Sequence, residues 1–294
     1  MTAQSTGDRI VGIIINLLLA VVSVIVLYPL VFVLSASVSN PEDVLNGEIW
    51  LFPSSLSFTG YEKIFQNQEI LTGYLNTIMY TLVGTAINLA MTVMAAYPLS
   101  RPNFAGKNLI TGIMVFTLFF SGGLIPTYLI VKEMGMLNSF WALVIPNAVS
   151  VWNIVIMRTF FQSSIPGEIQ ESASIDGCSN LQILWKIVLP LSMPIIAVMI
   201  LFYSVGHWNA YFNALIYLTD RAKYPLQLFL REILIQGQME QMINVGDESH
   251  ARTLMEAEAI KYAVVVIANL PVLLLYPFLQ KYFVKGVMIG ALKG

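Results

Sequence analysis

The sequence predicts an all-α membrane protein with six transmembrane helices, and three observations carry that prediction. The chain of 294 residues is 57% hydrophobic and only 11% charged, whereas soluble domains run near a quarter charged. Its mean hydropathy is +0.73. Several stretches run for more than about 18 residues without a formal charge, the length a helix needs to cross a hydrocarbon core about 30 Å thick. The net charge of −2 gives no basis for a nucleic-acid partner, and the distribution of charge is more informative than its sum.

Taken in order, residues 1–9 form a short polar N-terminus and 10–36 the first span. The run from Ile10 to Leu34 is too long for the apolar region of a secretory signal, and the flank "MTAQSTGDR" is barely basic, so an uncleaved span is expected. Residues 37–73 make a polar loop. Residues 74–294 form a core with five further spans, near 74–100, 109–131, 139–161, 191–217 and 260–281. In the third of the six, "SGGLIP" should loosen the helix, because two glycines and Pro126 weaken its hydrogen-bond ladder. The spans are interrupted by a polar insert at 163–190 and a loop at 218–259. Within that loop "YPLQLFLREILIQ" (224–236) has helical apolar spacing and is expected to lie at the membrane interface. The following "GQMEQMINVGDESHARTLMEAEA" is polar and acidic.

Orientation follows from the loops. With the N-terminus inside, the inner segments hold Arg9, Arg101, Lys107, Arg158, Lys186, Lys281, Lys285 and Lys293. That is eight of the fifteen cations, against only four of the seventeen anions: Asp8, Glu168, Glu171 and Asp176. Both termini are therefore expected in the cytoplasm, the loops 37–73 and 218–259 outside, and the insert 163–190 inside. The only cysteine, Cys178, falls in that insert and is read as a small residue in a packed turn.

The insert contains "ESASIDGCSNLQILWKIVLP" (171–190). Pro166 suits the first turn of a helix, Glu168 complements its positive end, and Gly177 suits a left-handed stop. A second helix starts at once, with Ser179 and Gln182 at capping-box spacing. Leu181, Leu184, Trp185 and Val188 give it one apolar stripe, and Pro190 is expected to end it and open the fifth span. Two short helices bent around a glycine suit docking to a partner. An ordinary capped helical hairpin is the plainer reading of the same residues.

Glu171-Ser172-Ala173, three residues, Gly177, nine residues and then Ile187-Val-Leu189-Pro190 resemble the EAA signature of ABC importer permeases, E-A-A-x3-G-x9-I-x-L-P. Ser172 stands for the first alanine, one small residue for another. "YLNTIMYTLVGTAINLAMTVMAAYPLSR", "SVGHWNAYFNALIYL" and "KYFVKGVMIGALKG" are similar to the sugar-importing, MalG-like permeases, most of all their LplC/YtcP-like oligosaccharide branch. The resemblance implies a MetI-like permease fold in a bacterial cytoplasmic membrane. It also implies four kinds of partner: a second homologous permease, a dimer of ABC ATPase subunits, an extracytoplasmic solute-binding protein and a carbohydrate substrate. By this analogy the insert is a coupling helix: Glu171 faces a basic residue of the ATPase, Ala173 permits close approach and Gly177 makes the turn, with Asp176, Ile187, Leu189 and Pro190 completing the motif. The C-terminal tail would also reach the ATPase, and part of the loop 237–257 the binding protein.

This chain is not expected to be an enzyme. No G-x-x-x-x-G-K-[ST] occurs, since Gly106-Lys107 is followed by Asn108 and lacks the upstream glycine. ATP and Mg are expected on the partner ATPase, with no cofactor on this chain. With His207 and His250 as the only histidines, no His-rich metal site is available. Carriers driven by ions keep charged relays in their spans, and these spans have none in their central parts. A neutral, hydroxyl-rich solute is therefore expected, handled by amides and aromatic faces. Candidates are Asn88 and Thr92 in the second span, and Ser121, Gly122 and Gly123 in the third. Asn147 and Asn153 follow in the fourth, then His207, Trp208, Asn209, Tyr211 and Asn213 in the fifth, with Trp208-Asn209 the foremost pair. Polar packing between helices is the plainer alternative for each.

Overall fold

The computed structural model describes residues 6–242 and 248–291, and it is helical almost throughout. In chain order the helices are α1 (Thr6–Ser37), α2 (Pro41–Leu45), α3 (Thr59–Gln66), α4 (Gln68–Ser100), α5 (Lys107–Phe119), α6 (Leu124–Glu133), α7 (Phe140–Val144), α8 (Val151–Ser164), α9 (Gly167–Ile175), α10 (Asn180–Ile183), α11 (Leu189–Leu191), α12 (Met193–Trp208), α13 (Phe212–Tyr217), α14 (Leu226–Met242) and α15 (Glu248–Ala291). Among the described residues the extended pairing is a single bridge, Ser39 to Leu56.

Among the described residues three helices are long and apolar enough to cross a membrane unaided: Arg9–Ser37, Gln68–Ser100 and Ala257–Leu275. Three more spans arise only if bent pairs count as one. Lys107–Phe119 meets Leu124–Glu133 at 112°, Phe140–Asn147 meets Val151–Ser164 at 52°, and Asn180–Leu191 meets Met193–Trp208 at 82°. The third span is therefore not one loosened helix but two helices. Phe120 is extended and Gly123 takes φ +84, ψ 178, which no helix continues. The fifth span also differs from expectation, because its helix stops at Trp208 and restarts at Phe212.

The chain folds as two compact units. The first comprises residues 1–71 and 230–269. Here nearly every described residue of α1 from Arg9 to Leu30 is exposed, as befits a helix whose apolar side chains need lipid or a partner rather than water. Its C-terminal end is anchored by the Ser37 hydroxyl 2.9 Å from the Tyr61 hydroxyl and by Phe32 edge-on to Tyr262. In α15, Glu258 is buried and Lys261 donates to it at 2.9 Å. A buried carboxylate without such a partner would be costly.

The second unit comprises residues 72–229 and 270–294. Its largest core joins α4, α8 and α12 through Val93, Ala96, Ile154, Met157, Phe161, Ile195 and Met199. Asn138, at φ 55, serves as a staple: its carboxamide oxygen accepts from the backbone N–H groups of Thr219 and Asp220 at 3.2 and 3.1 Å. The stretch 224–236 was expected at the membrane interface. Instead its start is packed into protein. Leu226 and Leu228 are almost fully buried, and the Leu226 N–H donates to the Thr77 hydroxyl at 2.8 Å. Periodicity identified the helix but could not say whether lipid or protein covers its apolar face.

Candidate functional site: a capped elbow and a polar cavity

The elbow is built by local rules that are satisfied in full. Helix α9 starts at Gly167, with Pro166 in the capping position rather than in the first turn, and Glu168 sits at its positive end. At its other end Gly177 takes φ +83, a conformation costly for any residue with a Cβ. The Cys178 N–H then reaches back to the Ala173 carbonyl at 3.0 Å and the Gly177 N–H to Ser174 at 3.2 Å, which is a complete Schellman closure. Next, the Ser179 N–H donates to Gln182 Oε1 at 2.8 Å while the Gln182 N–H donates to Ser179 Oγ at 3.3 Å. Both halves of the capping box are present. The elbow is thereby rigid in its backbone without help from a partner.

The elbow is also rooted. Ala173, Ile183, Leu184 and Val188 belong to the same core as Met157, Phe161 and Met199, with Cys178, Ile187 and Leu189 packed against it. Tyr97, near the end of α4, donates its hydroxyl to the Asn180 carbonyl at 3.1 Å. The apolar stripe predicted for the second helix is split, however. Leu184 and Val188 are buried, whereas Leu181 and Trp185 are each 68% exposed. The reason is a π-helical segment, Leu184–Val188, in which the Leu189 N–H bonds to the Leu184 carbonyl. Five-residue closure rotates the face relative to a 3.6-residue helix. It precedes Pro190, whose ring clashes with the carbonyl four residues back in a regular α-helix. Nor does Pro190 break the chain as expected. It lies within α11, and the 82° bend falls at the fully buried Ser192.

What the elbow presents outward is a distinct surface. Glu171, Ser172 and Asp176 are exposed, as are Ile175, Leu181 and Trp185. Asp176 puts negative charge at the negative end of α9, which opposes the helix dipole.

A cavity of about 230 Å³ lies between α4, α12 and α13. Its wall holds Asn88, Asn147, His207 and Asn213 beside Tyr80, Phe202, Tyr203 and Gly206. Asn88 organises it. Its Nδ2 donates to the Asn147 carbonyl at 2.6 Å, so its Oδ1 accepts from His207 Nε2–H, also at 2.6 Å. The Thr92 hydroxyl donates to the Asn88 carbonyl at 2.7 Å, and the Tyr203 hydroxyl then supplies the proton in its 2.6 Å contact with Thr92. Each of these four side chains has a partner, as a low-dielectric site requires. Tyr203 belongs both to the core that roots the elbow and to the cavity wall. The imidazole packs closely against Gly84, where an added Cβ would come within 2.5 Å of Nε2.

The other expected path residues lie elsewhere. Trp208 is buried edge-to-face with Tyr74, 5.6 Å between ring centroids, and it lines a separate, smaller groove with Leu82, Val205, Pro271 and Leu275. Its neighbour Asn209 is exposed, donating to the Val205 carbonyl and accepting from Gln227. The foremost pair is thus parted by the helix end between them. Tyr211 is exposed against Phe212. Ser121 and Gly122 occupy the break in the third span, and Asn153 is buried in the first turn of α8. Sequence reasoning missed Tyr80, Phe202 and Tyr203, whose apolar setting gives no local sign of a cavity. Residues 243–247, in the loop expected to meet a binding protein, lie outside the described residues, as does the end of the tail, 292–294.

Bent apolar helices, a polar elbow rooted in their core and a hydrogen-bonded cavity beside it define the membrane-embedded subunit of a transport system. The family model described as "Binding-protein-dependent transport system inner membrane component" matches residues 1–289, and the chain belongs to that family. It is 40% identical over 278 residues to Protein LplC of Bacillus subtilis, covering 95% of this chain and 93% of that protein. It is 41% identical over 289 residues to the B. subtilis polygalacturonan/rhamnogalacturonan transport system permease protein YtcP, covering 98% and 99%. Among solved structures it matches a chain of a bacterial ABC transporter involved in the import of the acidic polysaccharide alginate. The TM-score is 0.86 at 34% identity, covering 96% of this chain and all of that one. The chain is accordingly a multi-pass membrane protein and a transport component, with the all-α permease fold.

Proposed function

We propose that this chain is the permease subunit of an ATP-driven importer of carbohydrates, oligosaccharides above all. It works with a second permease, a pair of ATPase subunits that hold ATP and Mg, and an external solute-binding protein. Both termini and the elbow face the cytoplasm. Glu171 pairs with a basic group of the ATPase, Ala173 keeps the helix close to its own core, and Gly177 sets the turn that aims α9 outward.

The observation that carries this reading is that the elbow is rigid, exposed at its tip and continuous at its base with the cavity wall. Force applied to α9 passes through Ile183, Leu184 and Val188 to Met199 and Tyr203, and so to Thr92 and Asn88. A packed interior transmits such displacement rather than absorbing it, as alternating access requires. Asn88 and Asn213 lie on the solute path by this account.

The carbohydrate assignment draws on the relatives' names. One relative structure belongs to an importer of an acidic polysaccharide, so uncharged spans do not restrict the cargo to neutral sugars. The test is uptake of an oligosaccharide panel, neutral and acidic, into proteoliposomes holding the assembled transporter and its binding protein. Uptake of at least one member should require internal ATP; full-rate uptake without nucleotide would point to a secondary carrier instead.

A further inference from the structure

The cavity at Asn88 contains two amides that the fold does not use. The side chains of Asn147 and Asn213 line it, and neither has a hydrogen-bond partner among the described residues. Asn88, His207 and Tyr80 are spent on the protein itself, Tyr80 by donating to the Lys223 carbonyl at 2.8 Å. Beside the two amides stand the rings of Phe202 and Tyr203. Gly206 forms part of the wall, and a Cβ added there would meet nothing within 4 Å. The wall holds no Lys, Arg, Asp or Glu.

We propose that this cavity is a subsite for one pyranose ring of the transported chain. Asn147 and Asn213 bond its hydroxyls, and Phe202 and Tyr203 cover its apolar C–H face. At about 230 Å³ it falls below the usual size of about 300–1,000 Å³ for drug-sized ligands, so it takes a single ring rather than an oligosaccharide. With no charged group in the wall, it reads hydroxyls and leaves any carboxylate of an acidic sugar to water or to another subunit. Asn88 and His207 are positioning residues here, holding α4 and α12 at the spacing the ring needs. The proposal rests on the carbohydrate reading above and adds the place and the unit that is read.

The experiment uses the assembled transporter in proteoliposomes, with Gly206→Cys introduced in a Cys178→Ser background. Alkylation of the introduced thiol by N-ethylmaleimide is timed with and without raffinose or trigalacturonate, whichever the preparation imports. The imported trisaccharide should slow alkylation about fivefold or more, and adding Asn213→Ala should abolish that protection while ATPase co-purification stays normal. Equal alkylation rates with and without a sugar that is still imported would overturn the subsite and leave the import reading intact. Protection that survives Asn213→Ala would mean that closure, not a bound ring, shields the thiol, and would also overturn it. If neither sugar nor any other of the panel is imported with ATP, the carbohydrate reading fails and the subsite with it.

Discussion

At the scale of single residues, the critical groups are those whose neighbours leave them one conformation or one partner. The imidazole of His207 fits only because position 84 has no side chain. A Gly84→Ala change puts a carbon within 2.5 Å of Nε2, so the ring must move and the Asn88 carboxamide loses its partner. An unpaired buried amide costs about 1–3 kcal/mol. The variant should insert normally but melt earlier, with uptake reduced at least severalfold. An unchanged melting temperature and unchanged uptake would show that the imidazole–amide bond does not matter. Residue-level signals were also where the sequence was most legible. Gly177, Ser179 and Gln182 announce their roles because capping is a short-range matter, decided by backbone groups within a few positions. Ser192 gives no such signal. It forms the bend because the segments on either side pack in different directions, and nothing in "LPLSMP" distinguishes it from Pro190 or Pro194.

At the scale of elements, a second joint between α4 and α12, beside Asn88–His207, is the hydroxyl pair Thr92–Tyr203, closed at 2.6 Å in a buried setting. Removing either hydroxyl, by Thr92→Val or Tyr203→Phe, should destabilise the permease by about 0.6 kcal/mol and at most about 1.7 kcal/mol, the mean and maximum found for hydrogen bonds between membrane helices. Because the two share one bond, while the Thr92 hydroxyl alone also donates to the Asn88 carbonyl, the double variant should cost little more than Thr92→Val and less than the sum of the single changes. Thermal unfolding of the four proteins in detergent closes the cycle, and additive losses would show that the hydroxyls act independently. Element types were largely legible in the sequence, and their interruptions were not. Hydropathy marks how long an apolar stretch is, and it found both halves of the first two bent pairs but only Met193–Trp208 of the third, whose other half, Asn180–Leu191, lies almost wholly in the polar insert. It cannot see a 112° turn at 120–123, since broken and continuous spans have the same composition. The π segment was likewise hidden, because Leu181, Leu184, Trp185 and Val188 have α-helical spacing in the sequence, and only the wider turn leaves Trp185 off the buried face.

At the scale of the molecule, the elbow and the cavity are two ends of one packed body in the second unit. Its sites were unequally legible. The elbow is encoded in a contiguous stretch of twenty residues, whereas the cavity draws on α4, the turn at Asn147, α12 and α13, and exists only once they are folded together. Trp208 and Asn209 are adjacent in sequence, yet Trp208 is buried against Tyr74 while Asn209 is exposed at the end of α12. The exposed surface of α9 is the point at which the account is most exposed to test. Glu171 has no ion-pair partner among the described residues and Asp176 opposes its own helix; under the proposed function both face a positively charged partner.

The most direct measurement is co-purification of the ATPase with Glu171→Lys and Gly177→Pro, alongside ATP-driven uptake by each. The first reverses the charge at the tip; the second removes the N–H and the left-handed turn that close α9. Each should release the ATPase, with retained subunit falling about tenfold for every 1.4 kcal/mol of lost affinity. Uptake should fall with it, while the spans remain inserted. Wild-type retention of the ATPase together with wild-type uptake in both variants would contradict the claim that this elbow couples the motor to the permease.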